Sequence, residues 1–383
     1  MKFAEAIGAN AREPRRESAN AKLNARARWP RWRPICCSFA KARTAADSID
    51  PPGARGGGRE FLYCRLLRTS KGIRAAAWAL VAAAVAAPVL RRQLRLPRGV
   101  AIGAAATAPL TVCVAMRPGK ARDVAVCTLN MWAYIAAYKL PNDDPRRLAA
   151  RVRVDYPIAV DRVLGLGVIP TLRMQRSFAA PGAVNRFERL LVWCHWMWFA
   201  VPHSSVAYIL LRDPDRFPSA AARMYAVFDI GAVFYWTIPT APPWWAAEHG
   251  RLEDGEPIRV RRMMLEYGEQ FWGDRWGALY DVLGGNPLAA MPSLHFATSL
   301  MAAHLLSEVA PVAGVLAWTY AVLLGVALVY LGEHYAIDLI AGAALAEGVR
   351  SSARPIAPFR RRVVAGLRRL DGGPMLEART TAG

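Results

Sequence analysis

From about residue 75 to residue 349 the chain is a succession of apolar runs of roughly 15–22 residues, close to the ~20 that cross a bilayer as helix. Polar breaks separate the runs. In lipid every backbone N–H and C=O must be paired within the protein, so only helices and closed barrels span. The runs are continuous rather than alternating, which argues against a barrel. The expected fold class is all-α: a polytopic membrane helix bundle. A soluble chain of 383 residues can also bury a good core, so length by itself decides nothing.

The periodicity places spans at 75–90, 99–116, 124–140, 190–211, 220–238, 292–308, 312–331 and 335–349. The first two are short and alanine-rich. Residues 141–188 form a polar connector with an amphipathic section, which suits an interfacial or re-entrant segment rather than a crossing. Residues 246–288 form a polar loop of mixed charge. Residues 1–70 lack apolar periodicity, are broken by Pro51-Pro52-Gly53 and Gly56-Gly57-Gly58, and are expected to be a disordered basic tail. No apolar core of a secretory signal appears in the first thirty residues. Residues 351–383 form a second basic tail.

The 50 Lys and Arg exceed the 29 Asp and Glu, a formal net charge of +21. In a soluble protein that balance suggests nucleic acid. Here the charge lies in the tails and loops, where arginine meets anionic lipid, so membrane lipid is the expected partner and nucleic acid is not. Basic tails at both ends favour the cytoplasm for both, and eight spans satisfy that. The arginines of 141–188 and 246–288 oppose this orientation, but the charge rule weakens in long loops. The six cysteines (Cys36, Cys37, Cys64, Cys113, Cys127 and Cys194) show neither metal-ligand nor disulfide spacing.

Two histidines and an aspartate stand at the mouths of these runs, where ionisable groups are costly and a functional role is the default. His334 and Asp338 are four residues apart, which at a helix start places both on one face. The carboxylate can accept one imidazole N–H and leave the other nitrogen as nucleophile or base. His295 follows Pro292 and Ser293 at a helix N-terminus, where free N–H groups suit an anion. Between His295 and His334 lies one apolar hairpin, which returns them to the same side of the membrane. Two histidines beside an anion pocket fit phosphoryl transfer, one attacking phosphorus and the other protonating the leaving oxygen. A structural role as cap or packing residues is the competing reading. Two histidines and a carboxylate also suit zinc, although the spacing is not a strong metal signature.

Ala290-Met291-Pro292-Ser293-Leu294-His295-Phe296-Ala297 and His334-Tyr335-Ala336-Ile337-Asp338-Leu339-Ile340-Ala341-Gly342 resemble the second and third signature motifs of the type 2 phosphatidic acid phosphatase superfamily. The branch resembled most is the inositol phosphorylceramide synthase type of lipid phosphotransferase. Ile238-Pro239-Thr240-Ala241-Pro242-Pro243-Trp244-Trp245 resembles a Pro-x-Ala-x-Pro-Trp element of that branch. Asp161-Arg162, Ile169-Pro170-Thr171 and Gln175 resemble its upstream element weakly. The resemblance covers about residues 150–349.

The resemblance implies a six-helix catalytic core of the phosphatidic acid phosphatase/chloroperoxidase type with extra N-terminal spans. Residues 75–140 would be those N-terminal transmembrane helices and 141–350 the catalytic membrane domain. It implies His334 as the nucleophile that becomes phosphohistidine, Asp338 as its orienting carboxylate and His295 as the general acid. It implies no metal and no cofactor, a lipid phosphate substrate, and an inositolphosphotransferase-like enzyme. The alternatives are a lipid phosphate phosphatase and a non-catalytic membrane protein that keeps the fold. The expected location is the plasma membrane with an extracytoplasmic site.

The phosphatase pattern has a Ser-Arg pair upstream of the nucleophile, where this chain has Ala327 and Leu328. The usual first motif, Lys-x₆-Arg-Pro, is also absent, and Leu294 stands where the second motif has glycine. These departures favour the phosphotransferase branch and leave the phosphate's cation open. Ser293, Leu294, Arg262 and Arg275 are taken as phosphate-binding candidates, with Arg259, Arg261, Arg173 and Arg176 as further ones. His195, His203 and His304 are read as structural, with a place facing the pocket as the alternative for His203, and His249 as a solvated loop residue. The tryptophans are read as interfacial anchors, with a lipid-chain groove as a secondary role. Glu333 either tunes His334 or faces water. Tyr335 either donates to phosphate or anchors at headgroup depth.

Overall fold

The computed structural model describes residues 57–140, 148, 150–179, 182–252, 259–283 and 286–352, with side chains from residue 71 on except those of 281–283. The expected basic tails lie outside these residues, apart from 57–70 and 351–352, which are helical. The chain divides into 1–63 and 64–383, and of the first part only the opening turns of helix α1 are described.

Helices α1 (Gly57–Leu90), α2 (Arg98–Ala115) and α3 (Lys120–Lys139) follow the first three apolar runs. The connector forms two short helices, α4 (Asp155–Leu164) and α5 (Pro170–Phe178). Helix α6 (Arg186–Met197) opens on a capping box: Asn185 accepts from the Glu188 N–H, and Glu188 accepts from the Asn185 N–H. Helix α7 (Val201–Arg212) follows it, and α8 (Phe217–Thr237) comes next. After the short α9 (Pro243–Glu248) come α10 (Met263–Trp272) and α11 (Trp276–Leu283). The bundle closes with α12 (Leu294–Ser307), α13 (Pro311–Tyr330) and α14, residues 336–352.

Two expectations change. The single run 190–211 is two helices, α6 and α7, joined by a turn at 198–200 with i→i+3 hydrogen bonds. Pro202 explains the interruption, because it has no N–H to donate to the carbonyl of Trp198 and its ring crowds that carbonyl. The stretch 246–288 is not simply a polar loop. Met263, Met264 and Tyr267 of α10 are buried against α6, so a helix-spaced apolar face was hidden among its charges.

Three described helices, Lys71–Leu90, Arg98–Ala115 and Pro311–Tyr330, are by length and composition able to cross a membrane on their own, and the protein is an integral membrane protein. Helix α12 has 14 residues. At 1.5 Å per residue it reaches about 21 Å, short of the ~30 Å hydrocarbon core. It lies inside the bundle instead, packed on α7, α8 and α13. Of the α12 side chains from Leu294 to Leu305, all but His295, Phe296 and His304 are buried. A helix apolar all round belongs in such a place. Gly342 of α14 makes the closest approach possible: a Cβ there would stand 2.6 Å from the Ser293 carbonyl oxygen.

Candidate active site

The two histidine motifs are fixed to each other through their backbones before their side chains meet. The Ser293 N–H donates to the Asp338 carbonyl at 3.0 Å. The extended stretch after α8 then ties both motifs to one support. Thr240 donates to Leu288 O at 2.9 Å and accepts from the Ala290 N–H at 3.1 Å, just before Met291. The Trp244 N–H donates to Gly332 O at 3.2 Å, just before His334. Prolines 239, 242 and 243 hold this stretch extended and start α9. Tyr235 completes the support by donating to Pro292 O at 2.9 Å.

The turn that carries His334 is held from the connector. Asp161 of α4 accepts from the N–H groups of Ala336 (2.8 Å) and Ile337 (3.0 Å), capping the start of α14 from another element. Asp161 is fully buried. Burial pushes its carboxyl above the usual range, and the two N–H donors oppose that rise. Gln175 of α5 donates to Tyr330 O at 2.8 Å and accepts from the Arg261 N–H at 2.9 Å. Gly332 supplies the positive φ of 75°, and a Cβ there would also meet Val260 at 2.5 Å. The weakly matching upstream residues, Asp161 and Gln175, thus clamp the loop that presents His334.

His295, His334 and Asp338 converge. His334 Nδ1 is 3.3 Å from Asp338 Oδ2, which also accepts from the Tyr335 N–H at 2.9 Å. His334 Nε2 is 3.2 Å from His295 Nδ1. With Asp338 as acceptor, the His334 proton sits on Nδ1 and the Nε2 lone pair faces His295. His334 and Asp338 are buried, and His295 is half-buried. Among the described residues no group of three His, Cys, Asp or Glu side chains is arranged to hold a metal ion.

Both histidines line a cavity of about 420 Å³. Aromatic rings make much of its wall, including Trp196, Trp198, Trp244, Trp276 and Tyr280. The tryptophans expected to be interfacial anchors therefore include several that enclose this space. Trp198 covers the His295 ring at 4.1 Å and donates to Thr298 Oγ1 at 2.8 Å.

The phosphate-binding candidates fall in different places. Leu294 lines the cavity. The Ser293 hydroxyl is buried and caps α12, accepting from the Phe296 N–H at 3.3 Å. Arg262 stands one layer behind the wall. Its guanidinium lies 3.8 Å from the Trp244 ring centroid, donates to Tyr280 Oη at 2.6 Å and pairs with Glu248 at 3.1 Å. Glu333 lines the cavity, and burial pushes its carboxyl up while Arg262 holds it down. Arg275 is exposed in the 3₁₀ turn 273–275 and does not line the cavity. Arg261 is engaged by Glu266, Gly182 O and Glu188, and Arg173 by Gly165 O. Arg259 and Arg176 are exposed. Tyr335 is buried in a separate apolar cluster, away from the cavity.

Several cavity residues went unread as site residues in the sequence, Lys139 and His195 among them. Lys139, the last residue of α3, lines the cavity, and its only signal is a lysine ending an apolar run. His195 lines it too, with its ring 4.7 Å from His295. No spacing could have linked positions a hundred residues apart.

Over 164 residues the chain is 27% identical to the inositol phosphorylceramide synthase catalytic subunit aur1 of Schizosaccharomyces pombe, a stretch covering 39% of this chain and 37% of that protein. The match therefore spans little more than a third of that relative's length. No solved structure matches the chain. The PAP2 superfamily model matches residues 158–349, half of the chain. That stretch runs from α4, which holds Asp161, through both histidine motifs to α14, and the chain belongs to the PAP2 superfamily.

Proposed function

We propose that the protein is an integral membrane lipid phosphotransferase that works through a phosphohistidine. The observation that carries this is the Asp338–His334–His295 array on the wall of an aromatic cavity. The cavity takes the phosphate group of a phospholipid or lipid phosphate, which replaces the 3.2 Å contact between the two rings. Nε2 of His334 attacks phosphorus, and the bond to the leaving alcohol oxygen breaks as His295 gives that oxygen a proton. His334 keeps its Nδ1 proton on Asp338, which stabilises the positive ring. A second hydroxyl then gives its proton to His295, attacks phosphorus and releases His334. All three side chains belong to the chain itself, and no metal or cofactor enters a step.

Similarity to the aur1 subunit supports transfer to a lipid or polyol hydroxyl, in the manner of an inositolphosphotransferase. Hydrolysis differs only in that water is the acceptor. Lys139 on the cavity wall, and Arg262 acting through Tyr280 and Trp244, are the cations proposed to offset phosphate charge. The catalytic membrane domain is assigned to 141–350, with its site opening on the extracytoplasmic side of the plasma membrane.

The test is to incubate the purified protein in detergent with a phospholipid labelled at phosphorus and quench it during turnover. An acid-labile, base-stable label on the protein is expected, absent in His334→Ala. Turnover without such a label sinks the covalent route. Product analysis with added polyol separates transfer from hydrolysis. Chelator is expected to leave the rate unchanged, and a rate abolished by chelator and restored by zinc replaces the proposal with a metal enzyme.

A further inference from the structure

His195 takes no part in the steps just proposed, yet it is built into the site. It is 5% exposed, on the last turn of α6. Its ring faces that of His295 at 4.7 Å with a 36° tilt, while Trp198 covers His295 at 4.1 Å. A spacing of three residues lets His195 and Trp198 share one helical face and hold His295 together. Packing alone does not require an imidazole in that position, since an apolar ring can stack on His295 without burying a polar atom.

The imidazole instead carries an unsatisfied group. His195 Nδ1 is buried with no hydrogen-bond partner among the described residues. Native proteins leave few buried polar atoms unpaired, and those that remain often mark a ligand site. Two more unpaired buried donors, Trp276 Nε1 and Asn286 Nδ2, belong to residues that line the same cavity. All three residues line one cavity, and a ligand rich in acceptor oxygens is the kind that such donors bind.

We infer that His195 is a third histidine of the site, which hydrogen-bonds the phosphoryl oxygens of the substrate from the cavity wall. It moves no proton in the reaction. It holds the phosphorus in line with His334 Nε2, while its face keeps the His295 ring in place. The identity of the ligand as a phosphate rests on the proposed function; the hydrogen-bonding role of the ring rests on the geometry.

The experiment is calorimetric titration of the full-length protein in detergent with orthovanadate, a phosphate analogue, which needs no turnover. His195→Phe keeps a stacking aromatic ring and removes the nitrogens. His195→Asn and His195→Gln each place an amide nitrogen near one of the two ring nitrogens. The inference expects His195→Phe to weaken orthovanadate binding at least about tenfold, with one amide variant returning to within about threefold of wild type. Wild-type affinity in His195→Phe overturns it. Equal weakening in all three variants, each with an unchanged melting temperature, also overturns it and leaves a packing role. If His195→Phe does not fold, the two amide variants decide: unequal affinity supports the inference and equal affinity overturns it. Wild-type protein that binds orthovanadate without turning over any lipid phosphate refutes the proposed function alone. Wild-type protein that fails to bind orthovanadate refutes both.

Discussion

A histidine meets a carboxylate at each end of the α12–α14 contact. At one end, His334, just before α14, lies 3.3 Å from Asp338, and His295 of α12 faces it. At the other end, His304 of α12 lies 2.6 Å from Glu347 of α14. His304 is nine residues beyond His295, about 14 Å along the axis. The shorter contact is the less remarkable chemically. The side chains of His304 and Glu347 are 21% and 40% exposed, against 5% and 0% for His334 and Asp338. Glu347 also pairs with Arg350 at 2.6 Å. Such a half-exposed, satisfied pair contributes about 0–1 kcal/mol, and its partners are already provided. At the other end the pair is dry, it borders a cavity, and Asp338 Oδ1 still lacks a partner among the described residues. A histidine next to a carboxylate is therefore not a site. Burial, a cavity and unspent hydrogen-bonding capacity separate the two ends.

The sharpest break of this comparison is a matched pair of alanine variants. His334→Ala is expected to lose about 10⁴-fold or more of the phosphotransfer rate, because it removes the proposed nucleophile. His304→Ala is expected to stay within about threefold of wild type by the same assay. Equal losses at the two ends abolish the distinction. His295→Gln comes next, with an expected loss of about 10²–10⁴ in kcat, the usual worth of a positioned acid. Its rate on a substrate whose leaving group needs no proton should recover most of that loss; no recovery argues against the acid role.

Asp161→Ala tests the support rather than the chemistry. It strands two N–H groups at the start of α14 and should cost about 1–3 kcal/mol of stability, read as a lower melting temperature in detergent. A wild-type melting temperature in that variant contradicts the clamp. The smallest effect is expected of Glu347→Gln, which removes an exposed ion pair: at most about 1 kcal/mol and no change in kcat. A large loss of activity there places function at the wrong end.

The sequence carried both signature motifs in readable form. Four-residue spacing placed His334 and Asp338 on one face, and a single apolar hairpin returned His295 to them. Other features were legible only by resemblance. Asp161 and Gln175 sit in an amphipathic connector that looks like a surface segment, and their burial depends on what they clamp 155–175 residues away. The interruption between α6 and α7 was written in Pro202, but hydropathy averages it away. The apolar face of α10 was masked by arginines on either side.

Sequence by itself determined the class of the protein, because apolar runs of this length have few homes besides a membrane bundle and a costly polar residue at a run's mouth is conspicuous. It also determined which two motifs must meet. The tertiary structure alone decided what surrounds them: that Arg262 stands behind a ring, that Arg275 is exposed, that Lys139 and His195 reach the cavity, and that His304 pairs with Glu347 away from it. Hydropathy and helix spacing are local, summed along the chain over a few turns. The exposure of a charge, the pairing of a donor and the wall of a cavity depend on neighbours from distant segments, and only packing brings those together.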